Sequence, residues 1–295
     1  MNKVMLKKML FLLLFSPMVF CQTNDYEFIG VVKLHGDEKN IISYRLLFSE
    51  EKGKISGFSI TDLEGKHETK NKISGFYNQK ERKISFSENE ILYTKSKIDK
   101  YSFCYINFEG NINLKKKNAS LKGNFKGLFD DQTKCIDGTI EMVKMEKVEK
   151  VVNKIAKKIE RSKKIDLETK EKINPVKMLD SLKINKLSKN ENLNLFVKNN
   201  KIVLDIWDAG KIDNDEIDII FNGEFVLQNY VVRREKRSLS LNLKEGKNHI
   251  KIIAKNEGSM PPNTAKIDIS DSDRYFETYT NLKKDEEVSI NIIRK

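Results

Sequence analysis

The sequence predicts an all-β fold: an N-terminal antiparallel meander or barrel, a short basic helical linker, and a C-terminal antiparallel β-sandwich. Three observations predict it. Residues 26–143 are short alternating runs punctuated by glycine and charged turns. Residues 144–165 switch to helical spacing, and eight strand-like runs follow from residue 193 onward. A chain of 295 residues is long enough for two ordinary domains. The expected division is 1–22 leader, 23–143 barrel-like domain, 144–192 lysine-rich helical linker and 193–295 sandwich.

The chain begins with three lysines and then an apolar stretch over residues 9–15, followed by a second over 18–21 after Pro17. This reads as a cleaved signal peptide, with the small Cys21 and Val19 at the positions a signal peptidase inspects. The apolar run is too short to span a bilayer, and no later segment could cross one. Lipid attachment at Cys21 is disfavoured by the bulky Phe20 before it. The expected location is therefore secreted, periplasmic or outer-membrane associated.

In the next segment Ile42, Tyr44, Leu46 and Phe48 alternate with other side chains as a half-buried antiparallel strand requires. About ten such runs are expected before residue 143, with Gly57, Gly75, Gly123 and Gly127 inside them where a small sheet curls on itself. The pentapeptide KISGF occurs at 54–58 and again at 72–76, which fits neighbouring strands or strands two apart. Once the leader is removed, only Cys104 and Cys135 remain. In an exported β domain a disulfide is the economical reading, closing a loop of about 30 residues and contributing roughly 3 kcal/mol.

Val148, Val151, Val152, Ile155 and Ile159 then fall at helical spacing among lysines and glutamates. The stripe is expected to pack on the preceding barrel; its other reading is attraction of residues 144–165 to an anionic surface. The charge distribution bears on the partner. Of the formal +12, residues 144–190 hold fifteen Lys/Arg against seven Asp/Glu, a net +8, and the three leader lysines bring +3. Only +1 is left for the two folded domains, so a basic nucleic-acid surface is not expected on either.

In the last third, Asn222-Gly223 sits between two apolar runs and supplies the two positive-φ residues of a type I′ hairpin, pairing 216–221 with 224–230. Just before it, Asp208, Asp213 and Asp215 fall within eight residues beside Gly210, at a strand junction. Clustered carboxylate oxygens on a loop are what Ca²⁺ takes, with backbone carbonyls and water completing six to eight ligands. The spacing is not that of an EF-hand, and such residues also serve as turn formers that bind nearby amides. The loop at 256–264 offers Asn256, Glu257 and Asn263 to the same pole. Trp207, the lone tryptophan, is expected to be partly core.

These residues resemble a C-terminal module of secreted proteins from Bacteroidetes-type bacteria. The resemblance runs as W-D-x-G-x-x-D-x-D-x-I-x-I-x-x-N-G over Trp207 to Gly223, L-x-x-G-x-N over Leu243 to Asn248, and A-x-N-E-G-x-x-P-P-N-T-A over Ala254 to Ala265. It covers about a third of the chain and departs from the pattern at Asn214, where glycine is common. The resemblance implies export and a β-sandwich, and no established activity.

Signals for catalysis are poor. The three histidines, His35, His67 and His249, are scattered, and no nucleophile elbow, metalloprotease helix or phosphate-binding glycine loop occurs. The sequence therefore predicts a non-catalytic protein with no catalytic residues. Its sandwich is expected to meet a glycan or protein partner, with Ca²⁺ as the one candidate cofactor. The alternatives are a carrier of small apolar ligands inside the barrel, and a secreted hydrolase.

Overall fold

A computed structural model describes residues 26–97, 102–210, 212–272 and 274–294. The leader and Cys21 lie outside the described residues. The fold is all-β with an eight-stranded antiparallel barrel, as the alternation predicts.

The barrel strands are β1 (Tyr26–Leu34), β2 (Asp37–Glu51), β3 (Lys54–Thr61), β4 (Thr69–Asn78), β5 (Lys83–Thr94), β6 (Tyr105–Asn111), β7 (Ser120–Leu128) and β8 (Lys134–Lys144). Each pairs with the next, and β8 returns to β1, so the meander closes and leaves no free edge. Ten strands were expected where eight form. The runs at 82–88 and 90–94 are one strand, β5, kinked by register shifts against β4, and the run at 112–115 is a turn that still buries Ile112 and Leu114. The two KISGF copies are direct neighbours, β3 and β4, paired antiparallel about Ser56 and Ser74.

Alternate side chains of every strand fill the lumen: Phe28, Tyr44, Phe48, Ile73, Phe86 and Phe108 are all buried there in one cluster. At one level the filling is polar. Glu88 accepts hydrogen bonds from the Tyr44 hydroxyl at 3.0 Å, the Ser59 hydroxyl at 2.6 Å and the Ile106 amide at 2.9 Å. Burial pushes its carboxyl above the ordinary range and these donors pull it back. Three donors on one buried carboxylate fix the register of four strands at that level.

After β8 come three helices, α1 (Met145–Arg161), α2 (Leu167–Lys172) and α3 (Pro175–Ser181). Asp166 caps α2 by accepting from the Thr169 amide, and Asn174 caps α3 ahead of Pro175. The segment expected to be linker throughout also contributes a strand, β9 (Lys186–Ser188).

The remaining strands are β10 (Asn192–Val197), β11 (Lys201–Trp207), β12 (Glu216–Phe221), β13 (Glu224–Val231), β14 (Arg237–Asn242), β15 (Gly246–Ala254), β16 (Lys266–Ser270), β17 (Tyr275–Asn281) and β18 (Glu287–Arg294). They form two facing layers, β13-β12-β15-β18-β10 and β14-β11-β16-β17-β9, around a core of Ile, Leu and Val. Most pairs are antiparallel, but β10 with β18 and β17 with β9 are parallel. The Asn222-Gly223 hairpin forms as predicted, with φ of 50° and 92°. β17 had no sequence signal strong enough to find it, because YFETYTN mixes outward Tyr275 and Tyr279 with an inward Phe276 and inward threonines that are fully buried.

The barrel and the sandwich are joined by more than the helices. The end of β5 leaves the barrel and pairs with β10, making one continuous thirteen-stranded sheet. Arg274 bridges to Glu90 at 2.6 Å, and Tyr93 stacks edge-on against Phe276 at 5.0 Å.

Candidate functional site

The two Asp/Asn/Gly-rich loops meet at one pole of the sandwich. The first follows β11 and the second follows β15, strands from opposite layers, so the loops close over the end of the core. Their contacts are specific. Asp213 accepts the Ser259 amide on its carbonyl at 2.9 Å and the Met260 amide on Oδ2 at 3.2 Å. Asp215 Oδ2 accepts the Thr264 amide at 2.6 Å. Asn256 accepts the Glu216 amide at 2.8 Å and donates to the Asn214 carbonyl at 2.9 Å. Asn263 donates to the carbonyls of Glu216 and Asn256 at 3.0 and 3.1 Å.

Local backbone needs follow the sequence. Asn214, which stands where the resembling pattern often has glycine, takes φ of 66°, a conformation asparagine tolerates. Gly258 has φ of 54°, and a Cβ there would lie 2.7 Å from the Asp213 carbonyl oxygen. The loops could not approach so closely with any larger residue.

Asp208, Asp213 and Asp215 are all buried, and none has an ion-pair partner among the described residues. Asp208 spends its Oδ1 on the Gly210 amide at 2.7 Å. Asp215 is only 2% exposed, and its Oδ1 is buried with no hydrogen-bond donor. The same is true of Asn263 Oδ1. Burial raises the Asp215 carboxyl to about 6; the Thr264 amide lowers it, and the neighbouring Asp213 and Asp208 carboxylates raise it. The carboxylates alone do not make a three-donor set: among the described residues no group of three His, Cys, Asp or Glu is placed to hold a metal ion. A cation at this pole would therefore draw on backbone carbonyls and Asn263 as well. Glu257 points elsewhere, accepting the Lys284 amide at 3.3 Å.

A raised carboxyl gives a signed prediction. Below 3.8, the ordinary Asp value, the group is protonated folded or unfolded; between there and about 6 only the folded form keeps its proton, so stability falls as pH rises. In chelator, Asp215→Asn is expected to match the native chain near the low end and exceed it above about pH 7, by on the order of 2 kcal/mol. Urea unfolding across that window checks it; equal stability at both ends would contradict it.

The expected disulfide forms between Cys104 and Cys135. Trp207 is not core: the residues of β11 that face inward are Ile202, Leu204 and Ile206, and the odd positions face out. Alternation itself puts Trp207 opposite its apolar neighbours. It lies between Lys236, 3.9 Å from the ring centre, and Lys266 at 5.0 Å. Beside it, one cross-strand row holds Asp205, Asp268 and Glu277. Asp268 is buried there under the Tyr275 hydroxyl and Lys236, 3.3 Å away. This outward polar face was missed in the sequence, although the odd-numbered Val203, Asp205 and Trp207 carry the signal.

Among the described residues, His67 Nδ1 lies 3.2 Å from Ser96 Oγ, and Ser96 is 2% exposed. Among the described residues no helix is long and apolar enough to cross a membrane. No family model, curated protein or solved structure matches the chain. The fold defines a class: an all-β protein with a closed, filled barrel fused through one sheet to a two-layer sandwich.

Proposed function

We propose that this is a secreted or cell-envelope, non-catalytic protein whose C-terminal sandwich is an interaction module for a glycan or protein partner, with Ca²⁺ held at the acidic pole. One observation carries the reading: three buried carboxylates and two donorless buried oxygens, Asp215 Oδ1 and Asn263 Oδ1, lie where two loops meet, and among the described residues no cationic side chain pairs with them. Buried charge without a partner is costly, and a hard cation with oxygen ligands removes that cost. The signal-like leader, the disulfide and the resemblance to an exported module support the compartment. The polar face around Trp207 supports an interaction role for the same domain. The carrier alternative draws no support from the barrel, whose interior is occupied by its own aromatic and aliphatic side chains.

Thermal melting of residues 23–295 at neutral pH, with calcium or with chelator, tests the cation. The melting temperature is expected to rise by several degrees in millimolar calcium, consistent with a ligand bound only by the folded state. The rise should vanish in the Asp213→Asn, Asp215→Asn double variant. No shift in the native chain would reduce the acids to acceptors for loop amides.

A further inference from the structure

Helix α1 was expected to bury its apolar stripe on the barrel, and it does not. Met145 is its one buried residue, while Val151 is 50% and Ile155 45% exposed. The helix leans instead on α3, and just past the end of α3 Lys183 pairs with Glu149 at 2.6 Å. At 3.6 residues per turn, Val148, Val152 and Ile159 form the half-buried centre of the stripe, and Val151 and Ile155 its free edge. Beyond that edge the helix wheel places Lys147, Lys154 and Lys158; Glu146, Glu149 and Glu160 fall on the opposite flank. Lys147, Lys154 and Lys158 thus flank the exposed apolar edge and Glu149 faces the α3 side, while Lys150, Lys157 and Arg161 lie on the face opposite the stripe.

We infer that α1 docks this protein on an anionic lipid surface. The inference rests on the envelope reading above and names the partner of a different face. Two features select the occupant. Charge complementarity is concentrated here: residues 144–165 hold nine Lys/Arg against three Asp/Glu, in a chain whose two folded domains contribute only +1. The exposed apolar edge is one or two side chains wide, narrow for a packed protein interface. It suits shallow insertion at the headgroup boundary, with flanking lysines reaching to lipid phosphates.

Flotation of residues 23–295 with phosphatidylglycerol-containing or pure phosphatidylcholine vesicles tests this. The protein is expected to float with the anionic vesicles in about 50 mM salt and to release in about 500 mM, where surface charges are screened. Replacing Lys147, Lys154 and Lys158 by glutamine should weaken binding by about tenfold or more. Val151→Ser with Ile155→Ser should weaken it too, with the melting temperature lowered by no more than a few degrees, because about half of each side chain is already exposed. Emission from Val151→Trp in an otherwise Trp207→Phe chain should shift blue on anionic vesicles. Equal flotation on both lipids, none on either, or a dimer that the serine pair dissociates would overturn the inference. A calcium-stabilised protein that ignores vesicles would sink this inference alone; vesicle binding without a calcium shift would sink the cation reading alone.

Discussion

Gly57→Ala is expected to prevent the barrel from closing. Gly57 lies on β3 where it crosses β2, and a Cβ built there falls 2.0 Å from the Leu47 carbonyl oxygen and 2.6 Å from the Phe48 Cα. These are backbone atoms of a paired strand, so no rotamer change relieves the clash. The strands must separate, and with them the Ile55, Phe48 and Phe28 packing that fills the lumen. The cost should exceed about 3 kcal/mol, a large part of ordinary domain stability. Gly36→Ala is the control: its φ is 85°, but no atom lies within 4 Å, so only the backbone strain of about 1 kcal/mol applies. Soluble yield and cooperative melting of the two variants read the difference. A Gly57→Ala protein that melts within a few degrees of the native chain would contradict the close crossing.

Removing the disulfide is the second large effect. Cys104 precedes β6 and Cys135 lies on β8, so the bond spans the intervening β7, and it passes over Gly127. A Cβ at Gly127 would lie 2.4 Å from Cys104 Sγ and 2.9 Å from Cys135 Sγ. The cross-link closes a loop with a sequence separation of 31. The chain-entropy relation gives about 3–4 kcal/mol for such a loop. Cys104→Ser with Cys135→Ser, or reduction of the native protein, should lower the urea-unfolding free energy by that amount. A loss under about 1 kcal/mol would mean that the closed barrel already supplies the constraint.

How much of this was legible in the sequence depends on periodicity. Strands with clean alternation, such as 42–48, and a turn with a steric requirement, Asn222-Gly223, were readable because each residue's role is local. The merger of two runs into β5 was not, since its kink depends on register against β4. Nor was β17, whose buried Thr278 and Thr280 satisfy their hydroxyls on the Asn185 and Ala265 carbonyls, far away in sequence. The acidic pole was found by composition and position, and the pairing of Asp213 and Asp215 with the 256–264 loop follows from both loops ending strands at one end of the sandwich. Trp207 was misplaced because its apolar neighbours were weighed without their parity. Helix α1 was placed correctly in the chain, but its exposed edge depends on α3 and not on its own pattern.

Anomalous diffraction from crystals of residues 23–295 grown at neutral pH in calcium tests the central claim most directly. The account predicts one anomalous peak per chain at the pole, within coordination distance of about 2.3–2.6 Å of Asp213 or Asp215 and of Asn263 Oδ1. A pole without a peak, with Asp213 and Asp215 sharing a proton or a water across the same oxygens, would contradict it.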